Sequence, residues 1–185
     1  TKAKATAENV KIANPAVESI SLVSDIIRSV ENAEKLAEIV QADVIINATA
    51  STMVATALER QFRAWPKTHP PIISMVLGHE VDQALMTMAV QAVPGITLDI
   101  DRRSKIALSN LAKGKHVLDE FWPISPDRTR LFQPEPGCSS PTFRGSAADV
   151  MALVAQMTNV ASRWLANPSP AVSRARSFDQ TGERT

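Results

Sequence analysis

An α/β fold built on a doubly wound, mainly parallel sheet with flanking helices is what this sequence predicts, and three observations carry that prediction. Between residues 17 and 77 short apolar runs alternate with stretches of helical spacing in the order strand, helix, strand, helix, strand. That is the layout of crossover connections in a parallel sheet. The run Asp43-Val44-Ile45-Ile46-Asn47 is continuously apolar rather than alternating, the pattern of a strand covered on both faces. Finally, 185 residues with 44% hydrophobic and 21% charged side chains suffice to bury one substantial core.

The elements follow in order. Residues 2 to 13 are helical in pattern, with Ala3, Ala7, Val10 and Ile12 among lysine and glutamate, and Asn14-Pro15 ends the helix because proline disfavours a helical residue before it. From Val17 to Ile27 the apolar positions Val17, Ile20, Leu22 and Ile26-Ile27 sit among serine and acid, which predicts a strand. Glu31 to Val40 returns to helical spacing through Ala33, Leu36 and Val40, and the strand at 43–47 follows. Ser51 is placed to cap a helix whose stripe of Val54, Ala55, Leu58 and Phe62 runs to Trp65-Pro66, and Pro70-Pro71 leads into a strand at Ile72–Leu77. A further strand is predicted from Ala84 to Val93, stopped by Pro94-Gly95, and a helix from Asp99 to Lys113.

Residues 117–145 form a proline-rich stretch without sustained period, read as an irregular loop. Ser146 with Asp149 three residues later has the form of a capping box, opening a long helix over 146–166 with Val150, Leu153, Met157, Val160, Ala161 and Trp164 on one face. The domain is thus expected to span residues 1–166, with its sheet region at 17–93, and residues 167–185 to form a flexible, polar tail.

Composition narrows function. Twenty basic and nineteen acidic side chains are well mixed and give a formal charge of +1, so no basic stripe exists for a nucleic acid. One cysteine rules out an intrachain disulfide, and three scattered histidines offer no zinc spacing. No apolar run approaches the roughly 20 residues that cross a bilayer as a helix, so a cytoplasmic protein without a membrane partner is expected. The lone Cys138 lies in Glu135-Pro136-Gly137-Cys138-Ser139-Ser140-Pro141-Thr142-Phe143, where Pro136-Gly137 favours a turn that displays a thiol as a nucleophile. The alternative is a small buried side chain.

Three segments resemble one family in order. Lys2 stands twelve residues before Asn14-Pro15, as in a "K-a … N-P-x-v" segment; Asp43 to Ser51 is similar to a strand-turn "D-v-v-x-x-x-T-D-N"; and Gln133 to Ser146 is similar to an "E-P-G-C-S-x-P-T-F-x-G-S" block. Together they resemble the ThiF/MoeB/HesA superfamily, which includes the ubiquitin-activating enzymes. The resemblance implies a partial Rossmann-like sheet and ATP-dependent adenylation of the C-terminus of a ubiquitin-like or sulfur-carrier protein. Lys2 would then face the phosphates of magnesium-ATP, and Cys138 would accept the activated acyl group as a thioester, its thiolate favoured by Arg130, Arg144 or His116. The otherwise expected role of Lys2 is that of an exposed helix-face lysine. The resemblance further implies association with a JAB-type peptidase and a homodimer.

The departures are specific. The six glycines, at 78, 95, 114, 137, 145 and 182, cannot be written as G-x-G-x-x-G, so the family's phosphate loop is not in this sequence, and the chain reads as a C-terminal fragment that binds no ATP by itself. Ala50 stands where the family's magnesium-holding aspartate would be, and Ser51 where its asparagine would be; a methyl group cannot coordinate a hard cation. A second reading, a degenerate non-catalytic ThiF-like module that binds a protein partner and dimerises, follows from those departures. A nucleotide-dependent dehydrogenase would need the same missing loop.

Overall fold

The computed structural model describes residues 1–49, 51–64, 69–90, 95–112, 114–125, 145–167 and 174–179. The chain forms α1 (Lys2–Ala13), α2 (Ile26–Glu31), α3 (Ala33–Ile39), β1 (Ile45–Asn47), α4 (Thr52–Ala64), β2 (Ile72–Leu77), β3 (Gln83–Ala89), α5 (Thr97–Ser109), α6 (Gly114–Phe121), α7 (Ala147–Ala166) and β4 (Arg174–Asp179). The four strands make one sheet in the order β1-β2-β3-β4. β1 and β2 are parallel, joined through α4, as a strand-helix-strand unit requires. β2 pairs antiparallel with β3, and β3 antiparallel with β4.

Strand alternation sorts the sheet residues into two cores. Ile73, Ala84, Met86, Met88 and Phe178 turn to one face and pack against Leu153, Met157, Val160 and Ala161 of α7. Ile72 and Ala89 turn to the other, where Val30, Leu36, Val54, Leu58, Phe62, Ile96 and Ile100 from α2, α3, α4 and the start of α5 cover them. The molecule is therefore a mixed α/β protein with helices on both faces of the sheet. Such two-sided burial explains why β2 and β3 are largely apolar rather than strictly alternating.

Local chemistry fixes the ends of these elements. The Ser146 hydroxyl accepts from the Asp149 N–H while the Asp149 carboxylate accepts from the Ser146 N–H, so the capping box that starts α7 is complete. This holds the Asp149 carboxyl below its ordinary range, through its bonds to Ser146. In the turn between β2 and β3, the Gly78 N–H donates to the Gln83 carbonyl, and Val81 adopts φ 55° with its side chain fully buried. A β-branched residue in that region is strained, on the order of 1–3 kcal/mol, and its burial together with the bond from its N–H to the Gly78 carbonyl helps to hold it there. Gly145, just before α7, lies against Val81: a Cβ at Gly145 would come within 2.5 Å of Val81 Cγ2.

Several expectations are corrected. Val17–Ile27 is not a strand: residues up to Asp25 carry no regular element, and Ile26-Ile27 open α2, because the Asp25 carboxylate accepts from the N–H groups of Ile27 and Arg28 as an N-cap. Ile20 and Leu22 remain 75% and 79% exposed, so nothing among the described residues rewards pairing there. The sheet is mixed rather than mainly parallel, since β2 and β3 are joined by a tight turn rather than a crossover helix. The loop read from residue 117 onward is helical as far as Phe121. The tail read as flexible contributes β4, which pairs with β3 and buries Ser177 and Phe178.

Candidate functional site

Of the residues singled out by motif, Lys2 is the first residue of α1, a helix with no buried residue, and is itself exposed. It forms no ion pair among the described residues. Cys138, Arg130, Arg144 and Ala50 lie outside the described residues. His116 is exposed on α6. The segment the sequence placed as strand and turn, Asp43 to Ser51, does run through β1 to the first residue before α4.

That turn is organised by its own side chains. The Asn47 amide oxygen accepts from the Thr49 N–H at 3.2 Å and from the Thr49 hydroxyl at 2.8 Å. Thr49 Oγ1 in turn accepts from the Ser51 N–H, and Ser51 Oγ accepts from the Val54 N–H. These bonds tie the carboxyl end of β1 to the first turn of α4, where the first amides of any helix lack intrahelical acceptors.

Beside this turn a cleft of about 290 Å³ opens between the sheet and α5. Its floor is a polar rung across three strands: Asn47, Ser74 and Thr87 are register neighbours on β1, β2 and β3 and all line the cleft. Ser51, Thr52 and Ala55 of the α4 end form one wall. Thr97, Asp101 and Lys105 of α5 form the other, closed by Phe121 and Trp122. Polar side chains on the covered face of a sheet cost free energy unless they meet partners, which sets this rung apart from the apolar rows around it.

The charges are arranged as a small network. Lys105 Nζ lies 3.7 Å from Asp101 Oδ2 and 5.0 Å above the Trp122 ring. The indole N–H of Trp122 favours the charged form of Asp101. Burial pushes the Asp101 carboxyl above its ordinary range; Lys105, the Trp122 hydrogen bond and Arg102 oppose the shift without cancelling it. Thr97 is 3% exposed, and its hydroxyl has no hydrogen-bond partner among the described residues.

Behind the cleft a buried carboxylate holds α5 in place. Glu59 of α4 accepts the N–H of Ile96, the N-cap residue of α5, at 3.1 and 3.2 Å through its two oxygens, and accepts from Arg63 Nε at 2.9 Å. A negative group at a helix amino end is favoured by the helix dipole. Glu59 thus fixes the residue that precedes Thr97.

The sequence carried signals for this cleft that motif reading passed over. Ser74 and Thr87 each interrupt an otherwise apolar strand, and Asp101 and Lys105 are spaced i, i+4 on one helix. What no spacing revealed is that they meet. Among the described residues no group of three or more His, Cys, Asp or Glu could hold a metal ion, and no helix is long and apolar enough to cross a membrane. No protein-family model matches the chain, and no curated protein is significantly similar to it.

Proposed function

We propose that the chain is part of a ThiF-type activating enzyme, a Rossmann-like cytoplasmic protein that uses magnesium-ATP to adenylate the C-terminus of a ubiquitin-like or sulfur-carrier protein. One observation supports this reading beyond the sequence blocks themselves: the segment similar to the family's strand-turn forms β1 and its exit turn in a parallel β1–α4–β2 unit, beside a polar cleft. Ligands of open α/β sheets gather at the carboxyl ends of parallel strands. In this reading the phosphate loop is supplied by another segment or subunit, Lys2 serves the phosphates, and Cys138 carries the acyl group as a thioester after its thiolate displaces AMP.

A second reading, a non-catalytic module that docks a ubiquitin-like or JAB-type partner and dimerises, is favoured by Ala50 in the aspartate position and by the outer side of β1. That side has no strand neighbour in the described sheet, Ile46 is 58% exposed there, and an apolar groove of about 490 Å³ runs between it and α7.

ATP–pyrophosphate exchange dependent on a diglycine-ended ubiquitin-like protein separates the two. Exchange, together with a thiol-sensitive conjugate that Cys138→Ser abolishes or converts to a stable ester, supports the enzyme. A stoichiometric complex with that protein and no exchange overturns the enzyme in favour of the module.

A further inference from the structure

The arm of residues 1–24 that precedes α2 has no buried residue. Its helix α1 covers no core, and the stretch after it holds Val17, Ile20, Leu22 and Val23 at 42%, 75%, 79% and 63% exposure. Of the fourteen large apolar side chains exposed among the described residues, seven fall between Val10 and Ile26. Single exposed apolar side chains are ordinary on a protein surface, but such a concentration on one arm marks a contact surface.

The outer side of β1 is its counterpart. It has no strand neighbour in the described sheet, and α7, which packs over β2, β3 and β4, leaves beside it the groove of about 490 Å³ lined by Ile46, Met75, Leu77, Val154 and Leu165. Charged side chains and proline are the usual guards of a sheet edge, and neither occurs in Val44–Ala48 or in the lining of the groove. The arm matches this edge in charge, because Ser19-Ile20-Ser21-Leu22-Val23-Ser24 has no ionised side chain and its pairing there desolvates none. Ile20 and Leu22, two residues apart, share one face of an extended chain. Since β1 is three residues long, side chains seated in the groove carry more of such a contact than main-chain bonds do.

Within one chain the arm and the edge stay apart, with Ile20, Leu22 and Ile46 all exposed. We propose that two copies exchange arms: residues 19–24 of each lie as an added strand along β1 of the other, with Ile20 and Leu22 in the apolar groove beside α7. The exchange is closed, since each copy gives one arm and receives one, and the same contact is made twice. An arm of 24 residues also matches the roughly 20–30 residues that each side of a standard interface contributes. The inference rests on the dimerising reading of this side of β1 and names the occupant, a second copy of this chain.

The test is sedimentation equilibrium with hydrogen exchange on the whole chain. A reversible dimer with a dissociation constant on the order of 10 µM is expected, and protection of the amides of residues 19–24 only where the dimer is populated. Ile20→Asp with Leu22→Asp, at positions exposed in the single chain, is expected to weaken the dimer at least tenfold without moving the urea midpoint of the monomer. Ile46→Asp, at the edge, is expected to weaken it by a similar factor. Mixed in equal amounts, the arm variant and the edge variant are expected to form a dimer tighter than either forms alone, because the intact arm of one meets the intact edge of the other. A chain still monomeric at about 1 mM overturns the proposal. So does a dimer that the arm variant leaves intact, as direct contact between two β1 edges would give, or a mixture that recovers nothing. Protection of residues 19–24 in the monomer places the arm on its own edge and overturns the exchange. Neither ATP nor a ubiquitin-like protein enters these measurements, so the exchange and the activities proposed above stand or fail separately.

Discussion

Glu59 is where the cleft and the fold depend on the same side chain. Its carboxylate is 9% exposed and receives one shared hydrogen bond from the Ile96 N–H and one from Arg63, whose side chain is 55% exposed. The bond from a buried amide to a charged acceptor is worth about 1.5–3 kcal/mol net, the bond to the exposed arginine about 1 kcal/mol or less. Glu59→Ala leaves the Ile96 N–H buried without an acceptor, so a loss of about 3 kcal/mol is expected. Glu59→Gln keeps an acceptor oxygen and loses the charge, and about 1 kcal/mol is expected. In urea unfolding both variants should shift the midpoint without changing the slope. For a chain of 185 residues the Ala variant should melt roughly 6–12 °C lower. A loss below about 1 kcal/mol in Glu59→Ala would refute the view that this carboxylate anchors α5. Equal losses in the two variants would show that the charge alone matters and the hydrogen bond does not.

Asp101 gives a pH-dependent prediction. Its pKa is raised by burial above the ordinary 3.8, so the folded chain holds this proton more tightly than the unfolded chain, and the resulting stability is full below about pH 3.8 and lost as pH rises through the folded value. Asp101→Asn should therefore gain on the wild type as pH increases through that window; urea midpoints that keep a constant difference between pH 3 and 7 would contradict it. Phe178→Ala should cost about 3 kcal/mol, because Phe178 is 4% exposed and packed in the α7-side core; a change within 0.5 kcal/mol, about the size of a surface substitution, would show that β4 does not dock. Ser146→Ala removes the cap of α7 and should lower stability by about 1 kcal/mol in the same assay, an unchanged midpoint counting against the capping box. Met86→Ala, at a side chain with no exposed surface on the central strand β3, should cost about 2–5 kcal/mol, and a smaller value would mean that the site collapses to fill the cavity.

Much of this architecture follows from local chemistry that a sequence displays. The stop at Asn14-Pro15, the strand at Ile72–Leu77, the helix after Ser51 and the capping box at Ser146 were each legible, because capping, proline and hydrophobic period act within a few residues. What escaped the sequence depended on partners distant in the chain. Val17 to Leu22 has a strand's composition but no strand beside it among the described residues, while Arg174–Asp179, polar and with one large apolar side chain, is a strand because β3 offers it an edge. The turn at Gly78–Asp82 decides that β3 runs antiparallel, which apolar runs alone cannot express. The candidate site divides in the same way. Ser74 and Thr87 were visible as breaks in apolar runs, but strand register aligns them with Asn47, and the Glu59 contact sets Thr97 on the facing wall. Residue types and periods are local properties of the chain; register and the meeting of α4 with α5 are set by which surfaces bury one another, and only the tertiary structure decides that.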